Sequence, residues 1–344
     1  MPEGNTKDRL RVGVVGVGRM GRHHARQYAS MSDVHLVGIV DADGARARSV
    51  ASEFQTRAFP DEASLIAADV EAVTVAVPTR DHRRVAEPLL RVGVACLIEK
   101  PLAPDVAEAH QLAQLADATG TILQVGHIER YNPAVRALAA HADLVPRFIE
   151  VHRVSPMTFR SVDVGVVLDM MIHDLDVVLM LTGGEPSRVQ ASAVAVLGAA
   201  EDVCNARLEF PGGCVANITA SRLALKTERK IRIVAEDAYA SIDFAKKTGL
   251  MIRRIANEEQ LAHVRRELAA GRDLSDLDYT DLVNIEPLEV DDADQLQMQL
   301  RDFVRVVREG GRPVVDVHAG FAAVRTAERI VAAAREHAAS IGHS

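Results

Sequence analysis

The sequence predicts an α/β protein: a doubly wound parallel sheet at the N-terminus, then an α/β domain with an open, mainly antiparallel sheet. Three observations carry this. In the first third, continuous apolar runs of strand length alternate with helical stretches, and a glycine cluster follows the first run. Beyond residue 127 a series of strands follows without intervening helices. Strands apolar on both faces that alternate with helices need a parallel sheet covered on both sides, whereas successive strands joined by tight turns pair antiparallel. At roughly 150 residues per domain, 344 residues suggest two, which we divide as 1–127 and 128–344.

The elements follow in order. Residues 11–15 are a short β-branched run, 16–21 the glycine cluster, and 23–30 have helical composition; a second strand covers 34–40. The runs at 72–77 and 94–98 are strands separated by the helical stretch 83–91, and a helix at 106–119 leads into a strand at 122–125. A helix at 133–140 precedes a strand at 148–155 and a helix at about 166–181. Strands are then expected at 188–196, 203–210, 214–221 and 229–235, with Pro211-Gly212-Gly213 as the turn between the middle pair. Residues 251–282 read as a charged surface insertion with a helix near 258–270. Leu296, Leu300, Phe303, Val304 and Val307 form one helical stripe, and 320–337 is a second amphipathic helix.

Composition excludes several functions. A net charge of -8 leaves no basic surface for phosphate neutralisation, so nucleic acid is not an expected partner. The opening MPEGNTKDRL has no apolar leader, and the longest apolar run, 191–200, falls short of the roughly 20 residues that span a bilayer. A cytoplasmic protein with no membrane partner is expected. Cys96, Cys204 and Cys214 make no paired framework and no C-x-x-C, and Cys96 reads as a buried core thiol. With aromatics at 3% and no Trp, a ligand site would rely on hydrogen bonds and aliphatic walls.

The candidate chemistry begins at Gly16-Val17-Gly18-Arg19-Met20-Gly21. Gly16 permits a tight turn, Gly18 lets backbone approach a pyrophosphate, and Gly21 allows close packing of helix on strand. The following helix N-terminus offers free N–H groups to the phosphates. Strand before and helix after are the context a dinucleotide-binding loop requires. Asp41 ends the second strand about 25 residues beyond Gly16, where an acid binds ribose hydroxyls and repels a 2′-phosphate. NAD is therefore expected, and Arg46 keeps NADP open. Two further strand ends carry polar residues at the expected carboxyl edge, Pro78, Thr79 and His82 on one and Glu99 and Lys100 on the other. A lysine after a strand is by default a solvated charge, but beside a nicotinamide it can donate to a substrate hydroxyl.

In Asp169-Met170-Met171-Ile172-His173-Asp174-Leu175-Asp176, helical spacing puts Asp169, His173 and Asp176 on one face. A carboxylate one turn from an imidazole suits a general base. A structural His-Asp pair stays open, and a metal site lacks an identifiable third ligand, so no metal is expected.

Taken together, the glycine loop, Pro78-Thr79-x-x-His82, Glu99-Lys100-Pro101 and D-x-x-x-H-D-x-D at 169–176 resemble the Gfo/Idh/MocA family, as does Gly311-Arg312-Pro313 before the last helix. The resemblance implies an N-terminal Rossmann domain and oxidation of a carbohydrate hydroxyl by NAD(P). It also implies a homodimer or homotetramer formed through the C-terminal sheet, and Lys100, Asp169 and His173 as the catalytic residues. Residues 126–134, 152–156 and 163–169 are similar to a subgroup that oxidises C3 of UDP-N-acetylglucosamine. Arg130, Tyr131 and Asn132 are then candidates for lining the sugar or nicotinamide pocket, Asp176 for binding substrate, and Arg160, a surface arginine by default, for a diphosphate. Other members act on free polyols or inositol, cleave glycosides with tightly held NAD, or bind NAD without catalysis.

Overall fold

The computed structural model describes residues 9–141, 143–158, 164–275 and 277–342. The first sheet contains β1 (Leu10–Val15), β2 (Val34–Val40), β3 (Arg57–Phe59), β4 (Ala72–Val75), β5 (Ala95–Glu99) and β6 (Leu123–Gly126), linked by α1 (Arg19–Ser30), α2 (Gly44–Glu53), α3 (Glu62–Ile66), α4 (His82–Arg91) and α5 (Val106–Thr119). All pairs are parallel, in the order β3-β2-β1-β4-β5-β6. The strand order reverses between β1 and β4, so their diverging connections open a crevice at the carboxyl edge. Every residue of β4 is buried, and all of β5 but its last, Glu99. Aspartates at the N-caps of α2, α3 and α5 accept from first-turn N–H groups, which fixes where these helices start.

After α6 (Pro133–Ala139) the chain enters the second sheet at β7 (Phe148–Val154), then passes through a wide π-type turn (Val167–Met171) into α7 (Ile172–Thr182). The remaining strands are β8 (Arg188–Val194), β9 (Val203–Glu209), β10 (Val215–Ser221), β11 (Glu228–Val234), β12 (Ala238–Asp243), β13 (Thr248–Arg254) and β14 (Val283–Pro287). Their order is β14-β13-β12-β11-β7-β10-β9-β8, and only β7 and β10 run parallel. The sheet has one packed face and one open face, which gives the alternating burial of its strands. Gly213 turns at φ +81° between β9 and β10.

The segment 251–282 is only partly an insertion. Residues 248–254 complete a strand of the sheet, with Met251 buried beneath it, and 283–287 form its edge. Only α8 (Glu258–Ala269), which buries no residue, stands off the surface as expected. The closing helices α9 (Gln295–Glu309) and α10 (Val317–Ser340) return to the first sheet. α9 packs Leu300, Phe303 and Val304 with Val12, Ala25 and Ile39 on one face, while α10 joins a core shared by both sheets. At Gly320 a Cβ would lie 2.6 Å from Val125 of β6, so glycine is what admits α10 this closely. The shared core closes the carboxyl edge of the first sheet against the second and makes the site a cleft.

Candidate active site

The glycine loop runs from β1 into α1. Gly16 has φ +85°, and a Cβ there would meet the Ala76 backbone at 2.7 Å; a Cβ on Gly21 would lie 1.8 Å from Gly16 O. Gly18, by contrast, has nothing within 4 Å of a built Cβ. Gly16 and Gly21 thus hold the loop in shape, while Gly18 keeps its outer surface bare. A bare backbone at a helix N-terminus fits the pyrophosphate of a dinucleotide.

Asp41, at the end of β2, is tied to this loop. Its carboxylate accepts from Val17 N at 2.8 Å and Asp43 N at 2.8 Å, and Arg46 closes on it with Nη2 at 2.8 Å. Burial works against the charge, but these donors outweigh it and hold the carboxyl below the usual range. It is therefore ionised at neutral pH. Pro78 and Thr79 lie in the turn after β4. His82 is buried: Nε2 faces Val77 O at 3.0 Å, and Nδ1 faces Pro101 O at 3.0 Å. Both nitrogens face backbone carbonyls, so His82 bridges the two loops that follow β4 and β5 from a buried position.

A cleft of about 490 Å³ lies between this edge and the second sheet, lined by Arg19, Met20, Glu99, Lys100, Asp169 and His173 among others. Lys100 Nζ donates to Asp169 O at 2.7 Å and lies 3.5 Å from its carboxylate. The π-type turn is what presents this carbonyl; such widened turns recur at functional sites. Burial pushes the Lys100 ammonium down from the ordinary lysine value, against the pull of Asp169 and Glu99. His173 lies one residue into α7. Burial and the nearby cations, Lys100 first, push its imidazole well below the ordinary histidine value, so it is neutral at pH 7.

The acids around His173 each take a separate partner. Asp169 pairs with Lys100, and no hydrogen bond joins it to His173, whose Nδ1 is buried without a partner among the described residues. Asp174 holds Arg153 through both oxygens, at 2.7 and 2.8 Å, and Glu129 takes the same guanidinium at 3.1 Å. Asp176 does the same with Arg130, at 2.7 and 2.9 Å. These pairs fix the rotation of α7 and leave His173 facing the cleft.

Four expected substrate contacts are therefore elsewhere. Arg130 and Asp176 are spent on each other. Tyr131 is buried and donates its hydroxyl to Asp302, and Asn132 caps α6 while its amide donates to Glu129 and Phe244 O. Burial and ion pairing, which spacing does not reveal, remove them from the wall. Arg160 lies outside the described residues.

The sequence reading missed Arg153, Arg229 and His24. Arg153 alternates with Ile149 and Val151 on the packed face of β7, a pattern that marks it as a buried arginine. Arg229 lines the cleft from β11, and its guanidinium has no ion-pair partner among the described residues. Among the described residues no three His, Cys, Asp or Glu side chains group to hold a metal ion, and no helix is long and apolar enough to cross a membrane.

Comparison with known proteins gives a consistent result. A family model described as an oxidoreductase family with an NAD-binding Rossmann fold matches residues 10–127, and a Gfo/Idh/MocA C-terminal domain matches 147–241. A UDP-N-acetylglucosamine 3-dehydrogenase from Acidithiobacillus ferrooxidans is 43% identical over 239 residues, 70% of this chain and 75% of that one. The solved structure of the enzyme of that name from the same organism superposes with a TM-score of 0.84 at 35% identity, covering 95% of this chain and 98% of that one. An inositol 2-dehydrogenase from Rhizobium meliloti is 30% identical over 197 residues, 55% of this chain and 59% of that one.

Proposed function

Because the chain belongs to the Gfo/Idh/MocA family of NAD-binding oxidoreductases, we propose that it oxidises a secondary hydroxyl of a sugar nucleotide, C3 of a UDP-N-acetylhexosamine, with NAD as acceptor. The observation that carries this reading is one cleft holding Lys100, Asp169 and a neutral His173 against the glycine loop. Gly16, Gly18 and Gly21 shape the phosphate cradle, and the N–H groups of Arg19 and Met20 open onto it. Asp41 receives the ribose hydroxyls. Its carboxylate favours NAD over NADP, because a 2′-phosphate would meet a fixed negative charge before it met Arg46. Bound there, the nicotinamide supplies the hydride acceptor.

The chain's own residues manage the proton and the position. His173, neutral and facing the cleft, takes the proton of the sugar hydroxyl. Lys100, anchored on the Asp169 carbonyl, donates a hydrogen bond to the same oxygen and holds the carbon in line for transfer. Asp169 acts through Lys100, since its carboxylate faces the ammonium and not the imidazole. The guanidinium of Arg229, which has no ion-pair partner among the described residues, favours a diphosphate-bearing substrate over a neutral polyol.

The test is incubation with UDP-N-acetylglucosamine and NAD, with hydroxylamine to trap the ketone, followed by mass spectrometry of the oxime. Trapping matters because oxidation of an alcohol by NAD is uphill at neutral pH. The expected result is an oxime that falls roughly 10²-fold or more in His173→Ala. An oxime from inositol and none from the nucleotide overturns the substrate assignment.

A further inference from the structure

The cleft wall has a second layer beneath Lys100. Glu99, the last residue of β5, lines the cleft, and its carboxylate oxygen Oε1 lies 2.8 Å from Nε2 of the wholly buried His24 on α1. His24 Nδ1 faces Thr74 Oγ1 of β4 at 3.4 Å, and Thr74 Oγ1 lies 2.9 Å from the hydroxyl of Tyr28, one turn further along α1. Thr74 and Tyr28 are both fully buried. The other oxygen of Glu99 accepts from the Lys100 backbone N–H at 3.3 Å. On the far side Gly126 of β6 presses close: a Cβ there would lie 3.0 Å from Glu99 Cα and 3.1 Å from Oε2. The carboxylate is held from three sides.

The hydrogen-bond direction follows from satisfiability. Among the described residues Tyr28 has no partner besides Thr74, so its buried hydroxyl is satisfied as a donor to Oγ1; Thr74 then donates to His24 Nδ1, which leaves Nε2 facing Glu99. His24 Nε2 and Glu99 Oε1 lie 2.8 Å apart in a dry site, a close charge contact rather than an aligned hydrogen bond, and the chain behind His24 holds the two atoms face to face. Burial would push Glu99 up, yet His24, then Lys100, outweigh it and hold the carboxyl below its usual range.

We propose that the Tyr28–Thr74–His24–Glu99 chain is a positioning device for Lys100: it fixes an ionised carboxylate behind the lysine, which anchors the Lys100 backbone and keeps its ammonium protonated in a buried setting. The inference rests on the reading of Lys100 given above, and it adds His24 and Glu99 as positioning residues. The other titratable or charged groups facing Lys100 are Asp169 from the π-type turn, Arg153 from β7, His173 from α7 and His127 after β6, and burial keeps the two histidines neutral. Asp169 favours the ammonium, and Arg153 disfavours it. Glu99 supplies the second favourable charge.

The experiment measures the protonation of Lys100 without substrate or cofactor. The protein is acetylated with trace acetic anhydride across a pH series, and Lys100 labelling is read by mass spectrometry against the exposed Lys226 in the same digest. In Glu99→Gln the labelling midpoint of Lys100 moves to lower pH and labelling at pH 8 rises roughly fivefold, with Lys226 unchanged. His24→Met shifts it in the same direction, because a buried Glu99 without its partner takes up a proton. The double variant, which leaves no buried charge unpaired, shifts it no further than either single change. A folded single or double variant with an unchanged Lys100 midpoint overturns the proposal. A wild-type protein that oxidises no sugar leaves this measurement intact and counts only against the substrate reading.

Discussion

At the residue scale the cofactor loop divides cleanly between glycines that shape it and one that keeps it bare. Gly18→Ala meets no neighbour within 4 Å, so the variant is expected to unfold at the wild-type temperature while its NADH affinity, read by fluorescence titration, falls about tenfold or more, ~1.4 kcal/mol. An equal loss of stability would mean that the glycine serves the fold instead. The acid-base residues give a second prediction. His173 is pushed down from 6.5 and Lys100 down from 10.5. A depressed histidine stays neutral until pH falls below its ordinary value, and a depressed lysine loses its proton before pH reaches its own. The kcat/KM profile is thus expected to keep its plateau at pH 6.5, with an acid limb below that and an alkaline limb below 10.5. An acid limb above 6.5 contradicts the neutral-base assignment.

Which residues were legible follows from what spacing encodes. Lys100, Asp169 and His173 stand in motifs at strand ends and one helix start, and the fold brings them to one cleft. The partner of each acid was not legible. Asp169 and His173 sit one turn apart on a regular helix, but the π-type turn sends the carboxylate to Lys100. His24 was hidden because a histidine three residues past Gly21 has the composition of any helix face; only the neighbouring strands β4 and β5 give it Thr74 and Glu99.

At the element scale, α7 is set by two buried ion clusters. Arg153, 3% exposed, sits between Asp174 at 1% and Glu129 at 5%. Removing one member of such a cluster leaves uncompensated charge in a dry site. Arg153→Met is therefore expected to lower unfolding free energy by about 3–5 kcal/mol, measured by urea denaturation. A loss under about 1 kcal/mol would mean that the two acids find other partners. The strands of the first sheet were readable because continuous apolar runs need cover on both faces. β13 was not, because Met251 is its only buried residue and the strand runs into Arg253, Arg254 and the charged stretch beyond them. β3, at three residues with two of them exposed, carries too little pattern to register.

At the scale of the whole molecule, the acidic chain lines one cleft with more cations than carboxylates. The net charge is -8, yet Arg19, Lys100, Arg153 and Arg229 all line the cleft. On the proposed function, that focus is what draws an anionic dinucleotide and a diphosphate-bearing sugar to the same crevice. The core shared by both sheets keeps the two walls of the crevice in register. Positioning of this kind is what hydride transfer demands, since donor carbon and acceptor ring must be held in near-attack contact.

The most direct test follows the hydride itself. UDP-N-acetylglucosamine carrying deuterium at C3 is incubated with the protein, NAD and hydroxylamine, and the reduced cofactor is weighed by mass spectrometry. Transfer from C3 gives reduced cofactor one mass unit heavier than ordinary NADH, formed with an oxime that has lost the label. Reduced cofactor of ordinary mass, or an oxime that retains the deuterium, would place the oxidation at another carbon and contradict it.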